Sequence, residues 1–206
     1  MKIPMMMIFS EIPITLITKT NMDFDNTDKA GKTERSVPAK RRQNRVAAMQ
    51  FLYAWDATKS HRDLTDELYA FFSVPQAFDR DSKGGEDAAQ AEPSFADTDS
   101  LGNPREYYAF AEELVSGTLQ NLARIDGVIG DATQNWELAR MARCDLAILR
   151  LAVYELLYRT DIPPIVTINE AVDLAKIYST EDSHRFVNGV LDRVKKHLSR
   201  PLRTAL

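Results

Sequence analysis

The sequence predicts an all-α protein, a compact bundle of about seven helices. Three observations lead there. Apolar residues recur at three- and four-residue spacing in successive segments, the periodicity of helices with one face inward. No stretch alternates apolar and polar residues as a half-buried strand does, and the one β-branched run, Ile165-Val166-Thr167, is trapped between prolines and a capping pattern. Hydrophobic residues make up 44% of the 206 and glycines number only 8, enough apolar surface and few enough breaks for one helical core plus tails.

Residues 1–36 read as an extension outside that domain. Residues 3–17 are apolar, but Pro4, Glu11 and Pro13 interrupt them and only Lys2 precedes them. A secretory signal or a span of ~20 unbroken apolar residues would look different. Residues 21–36 are polar and weakly charged, a composition that favours disorder, and Met22 offers an alternative start. The helical domain is placed at residues 37–200, with 201–206 as a tail.

The first firm helix spans residues 41–55, with Val46, Met49, Leu52, Tyr53 and Trp55 as an apolar stripe. Lys40, Arg41, Arg42 and Arg45 crowd its amino end, where positive charge opposes the helix dipole, so an external anion would explain them. A solvated helix start would explain them equally well. A shorter amphipathic helix follows at residues 63–72, through Leu64, Leu68, Phe71 and Phe72. Residues 73–103, acidic and turn-rich around Lys83-Gly84-Gly85, read as a loop insertion.

Asn103, Pro104 and Glu106 restart order as a cap, a first-turn proline and its N3 partner. Tyr107, Phe110, Leu114, Val115, Thr118 and Leu122 then mark the face of one long helix, which Ile125, Val128 and Ile129 continue or leave at a turn. Trp136 and Leu138 suggest a short helix. From Asp145 onward, Leu149, Ala152, Val153 and Leu156 give a helix so apolar that it is the expected central packing element. Pro163 and Pro164 end it. Thr167, with Glu170 three residues on, fits a capping box for a helix through Ile168, Ala171, Val172, Ala175 and Tyr178. After an acidic corner at residues 179–182, Ser183 fits the cap of a last helix carrying Phe186, Val190, Leu191, Val194 and Leu198.

The net charge of −4 averages over unlike blocks. Residues 37–62 hold 6 Lys/Arg against 1 acid, and residues 185–206 hold 6 against 1. Between them, residues 66–106 carry 10 acids to 3 bases and residues 107–184 carry 12 to 6. A fold that joins the two basic ends presents one positive face on a negative protein.

Catalytic readings find little support. His61, His184 and His197 lie in unrelated patterns without metal-ligand spacing. Ser183-His184 beside Asp182 supplies triad residue types, yet sequence neighbours rarely aim at one reacting atom. No glycine-rich phosphate loop or dinucleotide fingerprint occurs, and no metal or cofactor is expected. The single cysteine, Cys144, excludes an internal disulfide and fits a reducing compartment; next to Arg143 it is a packing residue rather than an activated thiol.

A nucleic-acid reading gathers the remaining oddities. Single-stranded RNA is bound by stacking bases on aromatics, hydrogen-bonding their edges and placing cations on phosphates. Arg41, Arg42 and Arg45 suit phosphates, and Tyr178 and Phe186 are candidate stacking surfaces. Glu181 and Asp182 only accept hydrogen bonds, which fits base amino or imino groups. Helix-end electrostatics and core packing are the bland explanations for the acids and for Phe186.

Four runs are also familiar together and in order: RRQNRVAAMQFLYAW at 41–55, RLAVYELLYR at 150–159, IPPIVTINEAVDLAK at 162–176 and EDSHRFVNGVLDR at 181–193. They resemble the bacterial transcription antitermination family NusB, across roughly two thirds of the chain. The resemblance implies two packed helical sub-bundles and a cytoplasmic, non-enzymatic factor. It implies binding of boxA RNA in ribosomal RNA leaders jointly with the ribosomal protein NusE, in a complex with RNA polymerase. By the same resemblance Arg41, Arg42 and Arg45 carry the arginine-rich motif, and Glu181 and Asp182 form the acidic corner flanked by Tyr178 and Phe186. Tyr53 and Asp145 fall toward NusE, and a homodimer over the RNA face is left open. Two departures stand out: Gln43 and Asn44 dilute the arginine run, and Ser179 stands where the corner is expected to hold glycine. A helical protein-interaction module working with an RNA-modifying enzyme is the alternative.

Overall fold

The helix beginning near Asp145, expected from the sequence as the central packing element, lies at the centre. In the computed structural model, which describes residues 37–58, 63–73, 104–133, 137–199 and 201–205, the ordered elements are all helical. They are α1 (Val37–Thr58), α2 (Leu64–Phe72), α3 (Pro104–Tyr107), α4 (Ala109–Gln120), α5 (Leu122–Thr133), a 3-10 turn (Leu138–Arg140), α6 (Arg143–Tyr158), α7 (Pro164–Tyr178) and α8 (Ser183–Lys195). Helix α6 is buried almost all round from Asp145 to Val153 and touches α1, α4, α5, α7 and α8. It is shared by two sub-bundles, one built on α1 and α4, the other on α5, α7 and α8. Their side chains form one continuous core. Residues 59–62, 74–103 and 134–136 lie outside the described part, and with them His61, the acidic insertion, the Asn103 cap and Trp136; so does the extension 1–36.

Helix α1 starts four residues before the foreseen arginine run, with Pro38 in its first turn, where a missing N–H costs nothing. Arg41 therefore sits in the second turn, and the dipole argument weakens accordingly. Helix α2 begins as foreseen: Asp63 accepts from the Thr65 N–H at 2.8 Å. Its Phe71 and Phe72 pack on Phe51 of α1 with centroids 5.2 and 5.9 Å away.

The single long helix expected from Tyr107 onward is three. The Asn44 amide accepts from the Ala111 N–H at 3.0 Å and donates to the Tyr107 carbonyl at 3.1 Å. It thus stands in for the helical bond those two groups would make with each other, and the helix breaks at Tyr108. A second break falls at Asn121, whose side chain donates to the Gly117 carbonyl at 2.8 Å. Gly117 itself admits the Tyr154 ring of α6; any Cβ there would overlap it.

Two expected caps also resolve differently. Helix α7 begins at Pro164, whose fixed φ suits the first helical position. Thr167 is therefore inside the helix and buried, its hydroxyl donating to Glu155 at 2.9 Å. An orphan donor of that first turn, the Ile165 N–H, is met by the Leu202 carbonyl of the tail at 3.0 Å. In α8 the cap position belongs to Asp182, and the Ser183 hydroxyl donates instead to Asp145 at 2.9 Å.

Candidate nucleic-acid interface

The three arginines foreseen as phosphate ligands divide. Arg45 is 4% exposed and turns inward. Its Nε and Nη2 donate to the two oxygens of Glu155 at 2.7 and 3.0 Å. Glu155, 1% exposed, is one of two buried acids in the apolar α6, the other being Asp145, and burial demands that such a charge be paired. The expectation that Arg45 contacts phosphate gives way to an internal role: its charge is already matched, joining α1 to α6.

Arg41 and Arg42 remain at the surface, their side chains 43% and 42% exposed. Arg41 lies 3.9 Å from Asp161, Arg42 3.5 Å from Asp173 and 4.0 Å from Glu170. Glu170 also stands 3.7 Å from Arg45, ion-pair range but too long for a hydrogen bond. These long, solvated pairs are weak, so an anion with better geometry can displace them. The basic end of α1 therefore borders α7 and the turn between α6 and α7. Gln43 accepts from the Tyr107 hydroxyl, and Asn44 is fully buried in the α3–α4 break. An arginine would not fit at position 44, which accounts for one of the two departures in the run.

The acidic corner lies beyond the far end of α7. Tyr178 is five residues past Asp173, about 8 Å along the axis at 1.5 Å per residue. Tyr178 and Phe186 are half-buried, packed against the core with part of each ring outward. Glu181 and Asp182 are exposed. The Glu181 carbonyl lies 2.7 Å from His184 Nδ1, and the Asp182 carboxylate pairs with Arg185 at 3.3 Å, both side chains largely in solvent.

The corner's shape is set from beneath by Asp145, which is 6% exposed. It accepts from the Ser179 hydroxyl at 2.6 Å and from Ser183 at 2.9 Å, and Thr180 pairs with Ser183 at 2.7 Å. A residue so enclosed organises the corner rather than facing a partner, which corrects the placement of Asp145 at a protein surface; Tyr53, half-buried, keeps an accessible edge. Ser179 has φ −126 and ψ −163, extended backbone that any residue adopts, so the absent glycine leaves no strain. Cys144, beside this network, donates to the Tyr178 carbonyl at 3.2 Å. Burial, helped by Asp145, pushes its thiol up to about 12.

Other determinants were silent in the sequence. Arg150, also buried, is bidentate to Asp126 at 2.8 and 2.9 Å and reaches Asp56 at 3.1 Å, tying α5 and α1 to α6. Arg159 is bidentate to Asp161 at 2.9 and 3.1 Å and donates to Glu113 at 2.7 Å. That hydrogen-bonded guanidinium holds the Asp161 carboxyl below its usual range. The hint for Arg150 was a charge set among apolar residues of a helix, which has to find a partner. Among the described residues no cluster of His, Cys, Asp and Glu is arranged for a metal, and no helix is long and apolar enough to cross a membrane.

A NusB family model matches residues 42–196. The chain is 42% identical over 157 residues to the transcription antitermination protein NusB of Syntrophotalea carbinolica, covering 76% of this chain and 92% of that one. It is 37% identical over 155 residues to the protein of the same name from Treponema denticola, covering 75% and 95%. Among solved structures, T. maritima NusB superposes with a TM-score of 0.58 at 31% identity, covering 78% of this chain and 93% of that one. A complex of antitermination factors NusB and NusE with double-stranded RNA superposes at 0.54 with 23% identity over 77% and 97% of the chains, a likeness of fold.

Proposed function

The chain belongs to the NusB family, and from that premise we propose that it is an RNA-binding antitermination factor. It takes up boxA-type single-stranded RNA together with the ribosomal protein NusE, and the pair joins the antitermination assembly on RNA polymerase. Its place of work is then the cytoplasm, and no catalytic step is required. The observation that carries the reading is the pair Arg41 and Arg42, exposed and loosely paired beside α7, on a protein whose total charge is negative.

In this reading Arg41 and Arg42 take phosphates, and Tyr178 and Phe186 offer ring edges and faces to unpaired bases. Glu181 and Asp182 lie within reach of base amino groups, where a carboxylate forms a charge-assisted bond, but they repel the backbone. Arg45 acts from inside, fixing the basic end of α1 against α6.

A titration with boxA-like and scrambled RNA, with and without the ribosomal protein, tests the reading. Preferential binding of boxA that tightens with the partner is expected. Equal, salt-insensitive and partner-independent binding of both RNAs would contradict it, and RNA-independent capture of an RNA-modifying enzyme would favour the interaction module.

A further inference from the structure

The basic end of α1 does not stop at Arg42. The Arg41 guanidinium lies over the Phe110 ring of α4, 5.2 Å from its centroid, and Arg159 lies over the same ring, also at 5.2 Å. The next residue toward the amino end of α6, Tyr158, stacks on Tyr154 with centroids 5.5 Å apart and planes 27° from parallel. Arg124 of α5 lies over Tyr158 at 5.8 Å. Guanidinium groups and rings thus alternate from the start of α1, around the carboxyl end of α6, to the bend between α4 and α5. Tyr154 and Tyr158 are half-buried and Arg124 is exposed.

We propose that this arginine–aromatic track, from Arg41 and Phe110 through Arg159 to Tyr158, Tyr154 and Arg124, is a second single-stranded RNA site. It would hold unpaired nucleotides that continue from the element bound at Arg41 and Arg42. The inference rests on the RNA reading above and deepens it. Interleaved cations and rings are what non-sequence-specific single-strand binding needs: each base has a face to stack and each phosphate a charge to meet. The tyrosine pair is preformed, because Gly117 leaves room for the Tyr154 ring and the two rings hold each other in place.

Electrostatics decide how the strand runs. The charge of Arg159 is taken up by Asp161 and Glu113, so Arg159 joins the two parts of the track without binding a phosphate. Glu113 is exposed and would repel the backbone, which keeps the phosphates on the Arg124 side with the bases turned toward Tyr158.

The test compares three RNAs by titration at fixed salt: a core boxA-like element, and the same element lengthened by a few unpaired adenosines at either end. Wild type should bind one lengthened RNA at least about fivefold more tightly, the low end of a base–aromatic stack. Tyr158→Ala should lose that gain, Tyr158→Phe should keep it, and all three proteins should bind the core RNA equally. Arg124→Ala, at an exposed position, should reduce the gain without touching the core and serves if Tyr158→Ala misfolds. No gain in wild type, or a gain that survives Tyr158→Ala, overturns the track while the RNA reading stands. Failure of wild type to bind the core RNA, alone or with the ribosomal protein, overturns both. A Tyr158→Ala effect on the ribosomal protein with the RNA gain intact makes the face a protein surface and overturns the proposal.

Discussion

Arg45 and Glu155, 110 positions apart in sequence, meet inside the protein through two hydrogen bonds of 2.7 and 3.0 Å. Thr167 adds a third donor to Glu155 at 2.9 Å, so one carboxylate joins α1, α6 and α7. Breaking a buried pair from one side strands the other charge, at a cost of about 3–5 kcal/mol. Arg45→Ala should lower unfolding free energy in urea by that order, and Arg45→Met combined with Glu155→Leu should recover most of it. A single mutant as stable as wild type would mean that the pair does not hold the helices.

Ser179 donates to Asp145 from extended backbone. Ser179→Gly removes a hydrogen bond to a charged group and loosens the chain, so stability should fall by roughly 1–3 kcal/mol. Thermal or urea unfolding reads this directly. A stabilised Ser179→Gly protein would show that the corner strains against serine after all.

Asp182 occupies the cap position of α8, but its side chain makes no bond to the backbone there. Asp182→Asn should therefore leave helicity unchanged by circular dichroism while removing a negative charge near bound phosphates. Affinity for boxA and scrambled RNA should rise together. A fall for boxA alone would instead identify a base contact by the carboxylate, since a charge-assisted bond is about twice as strong as a neutral one.

Cys144 is held as a neutral thiol, its pKa pushed up to about 12 by burial and by Asp145. Because the folded value is raised, this contribution to stability is fully present below the unfolded thiol's pKa and is lost as pH rises through the folded one. Near neutral pH the native protein should resist alkylation, and the thiol should react once urea unfolds the chain. Rapid native-state labelling would contradict the packing described.

How far the sequence discloses this structure depends on the kind of signal. Helical periodicity announced α2, α6 and α8 and the apolar dominance of α6, because burial imposes spacing on the residues themselves. The break at Tyr108 was invisible, since its cause is Asn44, more than sixty residues away. Thr167 and Ser183 have the residue types of caps, yet tertiary partners claimed both hydroxyls: Glu155 and Asp145. The arginine run was legible as a composition, but which of its members turns inward depends on a buried acid, Glu155, on another helix. Exposure separates Arg41 and Arg42 from Arg45, and exposure is a property of the fold.

The most direct test of this division is the salt dependence of RNA affinity in wild type and two variants. Each phosphate contact on a single strand contributes roughly 0.7 to the slope of log affinity against log salt. Arg41→Ala with Arg42→Ala should keep the fold and reduce the slope by about twice that amount, weakening boxA and scrambled RNA alike. Arg45→Ala, measured on its folded fraction, should keep the wild-type slope. An unchanged slope in the Arg41/Arg42 variant, or a flattened one in folded Arg45→Ala, would contradict the account.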